Sequence, residues 1–168
     1  MKLITRFRFL LWRFGHFEVP LIGYLRPKLF ALTDQEIIIK LPLTRRSKNH
    51  LNSMYFGALS IGADVAGGFH GLYHAQQSGL NVSLAFKSFE AHFLRRPESD
   101  VYFVSTMGEE VRNMIMESKR TRLRVNKPIR VNAYTHYFEN REEVAHFVLE
   151  LSLKIIGNSP GVSYLSHE

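Results

Sequence analysis

A chain of 168 residues is about one domain, and with 45% hydrophobic and 22% charged residues it can bury a sizeable core. It has no cysteine, which excludes thiolate nucleophiles, cysteine-ligated metals and disulfide bridges. The formal net charge of +7 suits an anionic partner, a description that nucleic acid, a membrane surface and a phosphorylated small molecule all fit.

That charge is concentrated at the start. Residues 1–33 carry Lys2, Arg6, Arg8, Arg13, Arg26 and Lys28 against the single acid Glu18. The remainder is nearly balanced, which argues against a whole-domain nucleic-acid role. Arg6, Arg8 and Arg13 break the apolar stretch to Phe9–Trp12 and no small-residue cleavage site follows, so the start does not read as a signal peptide. No segment reaches the ~18 uninterrupted apolar residues of a membrane span, and a cytoplasmic location is the default expectation.

On a helical wheel Leu3, Ile4, Phe7, Leu10, Leu11 and Phe14 share one face and Arg6 and Arg13 another, an amphipathic helix. Its apolar face fits packing on the domain's own core or on a second subunit; residues 1–14 also fit weak contact with an anionic membrane surface, helped by Phe9 and Trp12. Pro20 and Pro27 interrupt residues 15–34, predicting a short helix or irregular connection there. From Gln35 to Leu43 the alternation of Ile37, Ile39, Leu41 and Leu43 predicts a strand. The run from Met54 to about Gln77 follows as a helix, with Asn52 or Ser53 as its cap. Asp64 is its single Asp, Glu, Lys or Arg, so such a helix must be buried almost all round.

Beyond Ser78-Gly79 the apolar phase runs Val82, Leu84, Phe86 and then shifts to Phe89, Ala91, Phe93, predicting a strand with a bulge near Lys87-Ser88. A strand at Val101–Thr106, an amphipathic helix over 109–120 and strands at about 125–138 and 143–156 complete the order. Short turns between successive strands make them antiparallel. The predicted fold is α+β, an antiparallel sheet wrapped around one long helix.

This order, together with Asn49-His-Leu-Asn-Ser-Met-Tyr-Phe-Gly-Ala-Leu-Ser-Ile-Gly-Ala-Asp64, resembles the hotdog-fold acyl-CoA thioesterases, in particular the phenylacetyl-CoA thioesterase-like group. The group's motif is similar to an Asn, five residues, His-Gly-Gly, four residues, Leu, one residue and Asp. Asn49, Gly57 and Asp64 match it in spacing, whereas Tyr55 stands at the His, Phe56 at the first Gly and Gly62 at the Leu. The stretch Phe93-Leu-Arg-Arg-Pro97 is similar to the group's Leu-Arg-Pro segment. The resemblance covers residues 35–156 and implies a hotdog domain there, with 1–34 an N-terminal helical extension and 157–168 a tail.

What the resemblance implies chemically is thioester hydrolysis with coenzyme A thioesters as substrate and no separate cofactor. Backbone amides of Phe56 and Gly57 would receive the oxyanion, Asp64 would act as general base or nucleophile, and Asn49 and Tyr55 would sit beside them. Arg95 and Arg96, then Arg45, Arg46 and Lys48, are the candidates for the phosphates of coenzyme A, and Phe69 and Tyr73 for the acyl chain. Phe56 and Asp64 lie about 12 Å apart along one helix, too far to serve one carbonyl. Two chains with antiparallel helices can bring them together, so a two-fold homodimer with composite sites is expected, with pairing of dimers into a tetramer left open. Asp64 as a structural carboxylate, and the whole chain as a non-catalytic acyl or lipid binder, are the alternatives. His70 and His74 share a helix face, but no acid is placed to complete a metal site with them, and none is expected.

Overall fold

The computed structural model describes residues 3–158. The elements in order are α1 (Leu3–Arg13), a π turn (Phe14–Glu18), α2 (Pro20–Leu25), β1 (Lys28–Leu32), β2 (Ile37–Leu41), α3 (Phe56–Gln77), β3 (Leu80–Phe93), β4 (Val101–Ser105), α4 (Gly108–Thr121), β5 (Val125–Thr135) and β6 (Glu142–Asn158). The six strands form one sheet in the order β1-β2-β4-β5-β6-β3, with every neighbouring pair antiparallel. Helix α3 packs against β2, β3, β4, β5 and β6, so the sheet wraps around it in the hotdog arrangement.

The register of β3 on β6 shifts between Phe86 and Phe89, where the apolar phase slips in the sequence. An unpaired residue there lets Phe86 and Phe89 each face the side their neighbours require. The last two residues of β6, Gly157 and Asn158, extend the sheet past the expected strand end, pairing with Asn81 and Leu80. The remaining ten residues of the expected tail, 159–168, lie outside the described residues, as do Met1 and Lys2.

Two local expectations are corrected. The cap of α3 is Tyr55 in extended conformation (φ −66°, ψ 139°), with no side-chain cap, rather than Asn52 or Ser53. Those residues are engaged in a tight loop before the helix: Asn49 Oδ1 accepts from the Leu51 and Ser53 amides at 2.9 and 3.2 Å, and Asn52 takes φ +60°. Residues 28–32, within the stretch expected to be helical or irregular, form β1 and pair with β2. A five-residue strand following Pro27 carries too little alternation to stand out.

The N-terminal stretch is continuous with the core. Phe7 and Leu11 of α1 are buried beside Phe69 and Tyr73 of α3, with Ile4, Leu10 and Phe14 packed against them. The packing reading of α1 therefore describes its apolar face. The π turn and α2 cross so closely that a Cβ on Gly23 would fall 2.2 Å from the Gly15 carbonyl oxygen, a contact only glycine permits.

The tight wrap around α3 has a measurable consequence. A Cβ on Gly62 would meet the fully buried Phe103 ring at 2.3 Å, whereas one on Gly67 would touch Leu149 and Val131 at an ordinary 3.6 Å. Gly62→Ala is expected to destabilise by about 1–3 kcal/mol through overpacking, exceeding its helix-propensity gain. Gly67→Ala should stabilise by about 0.5–1 kcal/mol, because alanine costs less backbone entropy in a helix. Urea midpoints moving in opposite directions would check the pair.

Candidate active site

Asp64 lies on α3, half-buried, in the wall of a cavity of about 250 Å³. The rest of the lining is apolar: Val65, Phe69 and Leu72 from the same helix, Leu84 and Phe86 from β3, and Leu11, Phe14, Val19 and Ile22 from the N-terminal stretch. Its carboxylate makes no hydrogen bond or ion pair among the described residues. Burial in these surroundings pushes its pKa up from the ordinary carboxylate value, because the charged form loses hydration with nothing to replace it. A carboxylate so placed favours accepting a proton, the property a general base needs.

Eight residues before Asp64 the helix begins, and several candidate residues gather there. Tyr55 N–H donates to the Ser47 carbonyl and Met54 N–H to the Pro97 carbonyl, both at 2.8 Å, tying the helix start to the loop that carries Arg45, Arg46 and Lys48 and to the Arg95-Arg96-Pro97 turn. Lys48 bridges to Met54 within the same loop. The amides of Phe56 and Gly57, in the first turn, make no hydrogen bond among the described residues. The surface around this helix start is aromatic: Tyr55 and Phe56 are 47% and 58% exposed, and Phe56 packs edge-on to Phe93. Free amides at a helix start are suited to an anionic oxygen.

The polar side chains near this end have other engagements. Besides the two amides it accepts from, Asn49 donates its Nδ2 to Ser53 Oγ at 3.1 Å, so it positions the loop that precedes the helix. Arg95 is paired with Glu142, whereas Arg96 is exposed and in no ion pair among the described residues. Arg46 lies over the Tyr24 ring and donates to the Tyr24 carbonyl at 3.2 Å, and Arg45 is exposed beside it. Phe69 lines the Asp64 cavity, but Tyr73 does not: its hydroxyl donates to Asp34 Oδ1 at 2.6 Å and its ring packs on Phe7. The four cavity walls from residues 11–22 were absent from the sequence-based set; the stripe Leu11-x-x-Phe14 was their only signal.

His70 and His74 stack with ring centroids 5.6 Å apart, away from Asp64's cavity. His70 Nε2 bonds the Thr33 carbonyl at 3.1 Å. Burial lowers the pKa of His70 to about 4 and that of His74 in the same direction. His70 therefore stays neutral in the fold down to about pH 4, while unfolded histidines bind protons from about pH 6.5 downward. Between those values the unfolded state holds more protons, so stability falls on acidification, by about 3 kcal/mol for His70 between pH 6.5 and 4. Denaturation midpoints across that range should show the loss, and His70→Gln should reduce it.

No protein-family model and no curated protein matches the chain in sequence. Solved structures do match in fold. A probable thioesterase from Pseudomonas aeruginosa has a TM-score of 0.73 at 19% identity, covering 92% of this chain and 98% of that one. A thioesterase from Haemophilus influenzae has a TM-score of 0.63 at 13% identity, with 92% of each chain covered. A protein of unknown function from Chlorobaculum tepidum has a TM-score of 0.78 at 11% identity, covering 90% and 96%. At such identities the likeness carries the fold. Among the described residues no helix is long and apolar enough to cross a membrane.

Proposed function

We propose that this hotdog-fold chain is an acyl-CoA thioesterase that works as a homodimer, each active site combining Asp64 of one protomer with the Phe56 and Gly57 amides of the other. The observation that carries the proposal is the Asp64 carboxylate, unpartnered among the described residues in an otherwise apolar cavity. In the simplest form Asp64 takes a proton from water as its oxygen attacks the thioester carbon. The carbonyl oxygen becomes an oxyanion held by the two amides, and collapse of the tetrahedral species expels the coenzyme A thiolate. Attack by Asp64 itself, forming an acyl-enzyme anhydride that water then hydrolyses, is the second route.

The about 12 Å between Phe56 and Asp64 on one helix is what calls for a second protomer. Support for the pairing comes from β3, a 14-residue strand at the edge of the sheet, whose outer backbone groups a two-fold mate would satisfy. Pairing of dimers into tetramers is compatible with this scheme. Arg96, with Arg45 and Lys48, is proposed to meet the coenzyme A phosphates, and Phe69 to line the acyl path. A cytoplasmic location belongs to the same reading.

The test is thiol release from a panel of aliphatic and aromatic acyl-CoA substrates, read with a thiol reagent. The chain has no cysteine, so every thiol detected is product. Saturable turnover that is lost in Asp64→Asn supports the proposal. Tight acyl-CoA binding with no turnover in either form would instead make the protein a non-catalytic acyl binder.

A further inference from the structure

A second and larger cavity, of about 580 Å³, opens between α1, α2 and the β1–β2 hairpin, separate from Asp64. We propose that this groove binds a single-chain amphipathic anion, its phosphate or carboxylate held by Arg8, Arg26 and Lys28 and its alkyl chain lying against Trp12, Ile22 and Leu29. The size falls within the ~300–1,000 Å³ of small-molecule sites. No carboxylate lines the groove, and no amide or hydroxyl side chain does either; its walls are cationic and apolar, with the His16 imidazole and the Trp12 indole as the other polar groups.

The three cations are available. Among the described residues none of Arg8, Arg26 and Lys28 is in an ion pair, in contrast to Lys40 at the same groove, which is bonded to Asp100 at 2.7 Å. Arg8 Nε donates to the Leu29 carbonyl at 3.0 Å, which fixes the guanidinium at the groove while its terminal nitrogens make no hydrogen bond among the described residues. Arg26 lines the same groove. It ends α2 in the left-handed region (φ 57°, ψ 52°), the position where glycine fits without strain, yet the residue there is an arginine at the lip of the groove.

Trp12, the chain's one tryptophan, lines the groove and reports its occupancy by fluorescence. Titration with dodecyl phosphate below its aggregation concentration should give a saturable change in Trp12 emission, and uncharged dodecyl maltoside should not. Arg26→Gly combined with Lys28→Gln should weaken the dodecyl phosphate response at least about tenfold, the loss expected on removing charge-assisted contacts. Arg26→Gly alone should weaken binding while raising Tm by about 2 °C or more, since it relieves the left-handed strain. Loss of binding with gain of stability separates a ligand contact from a folding defect. Equal affinity for the uncharged amphiphile, unchanged affinity in the double variant, or a response to phosphatidylglycerol vesicles with none to monomeric dodecyl phosphate would each overturn the proposal, the last by making this face a bilayer-docking surface. None of these readouts depends on thioester turnover.

Discussion

Asp64→Asn is expected to lower kcat for thioester hydrolysis by about 10²–10⁴-fold, the usual contribution of a positioned general base, and at the same time to raise the protein's stability at pH values above the raised pKa of Asp64. Asparagine keeps the shape of the side chain but cannot accept the proton. The stability change follows from burial. The folded pKa of Asp64 lies above its unfolded value, so folding favours the protonated form over the ionised one more than the unfolded chain does. That stability is fully present below the ordinary carboxylate pKa and is lost as pH rises through the raised value. Above that raised value the wild type carries an ionised, poorly hydrated carboxylate and the variant does not. The same shift places the acid limb of the activity profile above the ordinary carboxylate pKa, because only the ionised form is a base. Thermal melts and initial rates on the same two proteins check both signs; wild-type turnover in the variant would remove Asp64 from the mechanism.

Phe7→Ala is expected to cost about 3–5 kcal/mol, the range for emptying a buried phenylalanine site. Phe7 is 1% exposed, edge-on to Tyr73 and Phe69 at centroid distances of 5.1 and 6.1 Å. A helix resting loosely on the surface would lose no more than about 0.5 kcal/mol on such a change. Urea unfolding of full-length protein distinguishes the two. The result bears on function as well, because α1 and the turn after it wall the Asp64 cavity with Leu11 and Phe14 and the second groove with Leu11 and Trp12.

The central helix was legible because a run with one Asp, Glu, Lys or Arg in more than twenty residues has no solvent face to offer, and the β3 bulge because an alternating strand cannot change phase without an extra residue. The start of α3 was not. Asn52 and Ser53 look like caps by residue type, but Asn49 and Ser47 fold the loop back before the helix can begin, and those bonds depend on a chain reversal that local pattern does not encode. The π turn at 14–18 likewise depends on Gly15 meeting Gly23. At the site, the position of Asp64 on a buried helix could be read from spacing. What could not be read was the tertiary bookkeeping of its neighbours: Arg95 taken by Glu142, Tyr73 by Asp34, and four cavity walls contributed by a segment outside the resemblance.

Complementation between two disabled chains tests the composite site most directly. Phe56→Pro removes one amide at the first position of α3, where proline is tolerated and the extended Tyr55 before it already has the required backbone conformation. Each homodimer, Asp64→Asn or Phe56→Pro, lacks one half of both sites. Co-refolded one to one, half of the dimers would be mixed and each would carry one intact site, restoring about a quarter of wild-type thioester hydrolysis. Failure of the mixture to exceed either parent, with mixed dimers shown to form, would contradict a site shared across the two-fold axis.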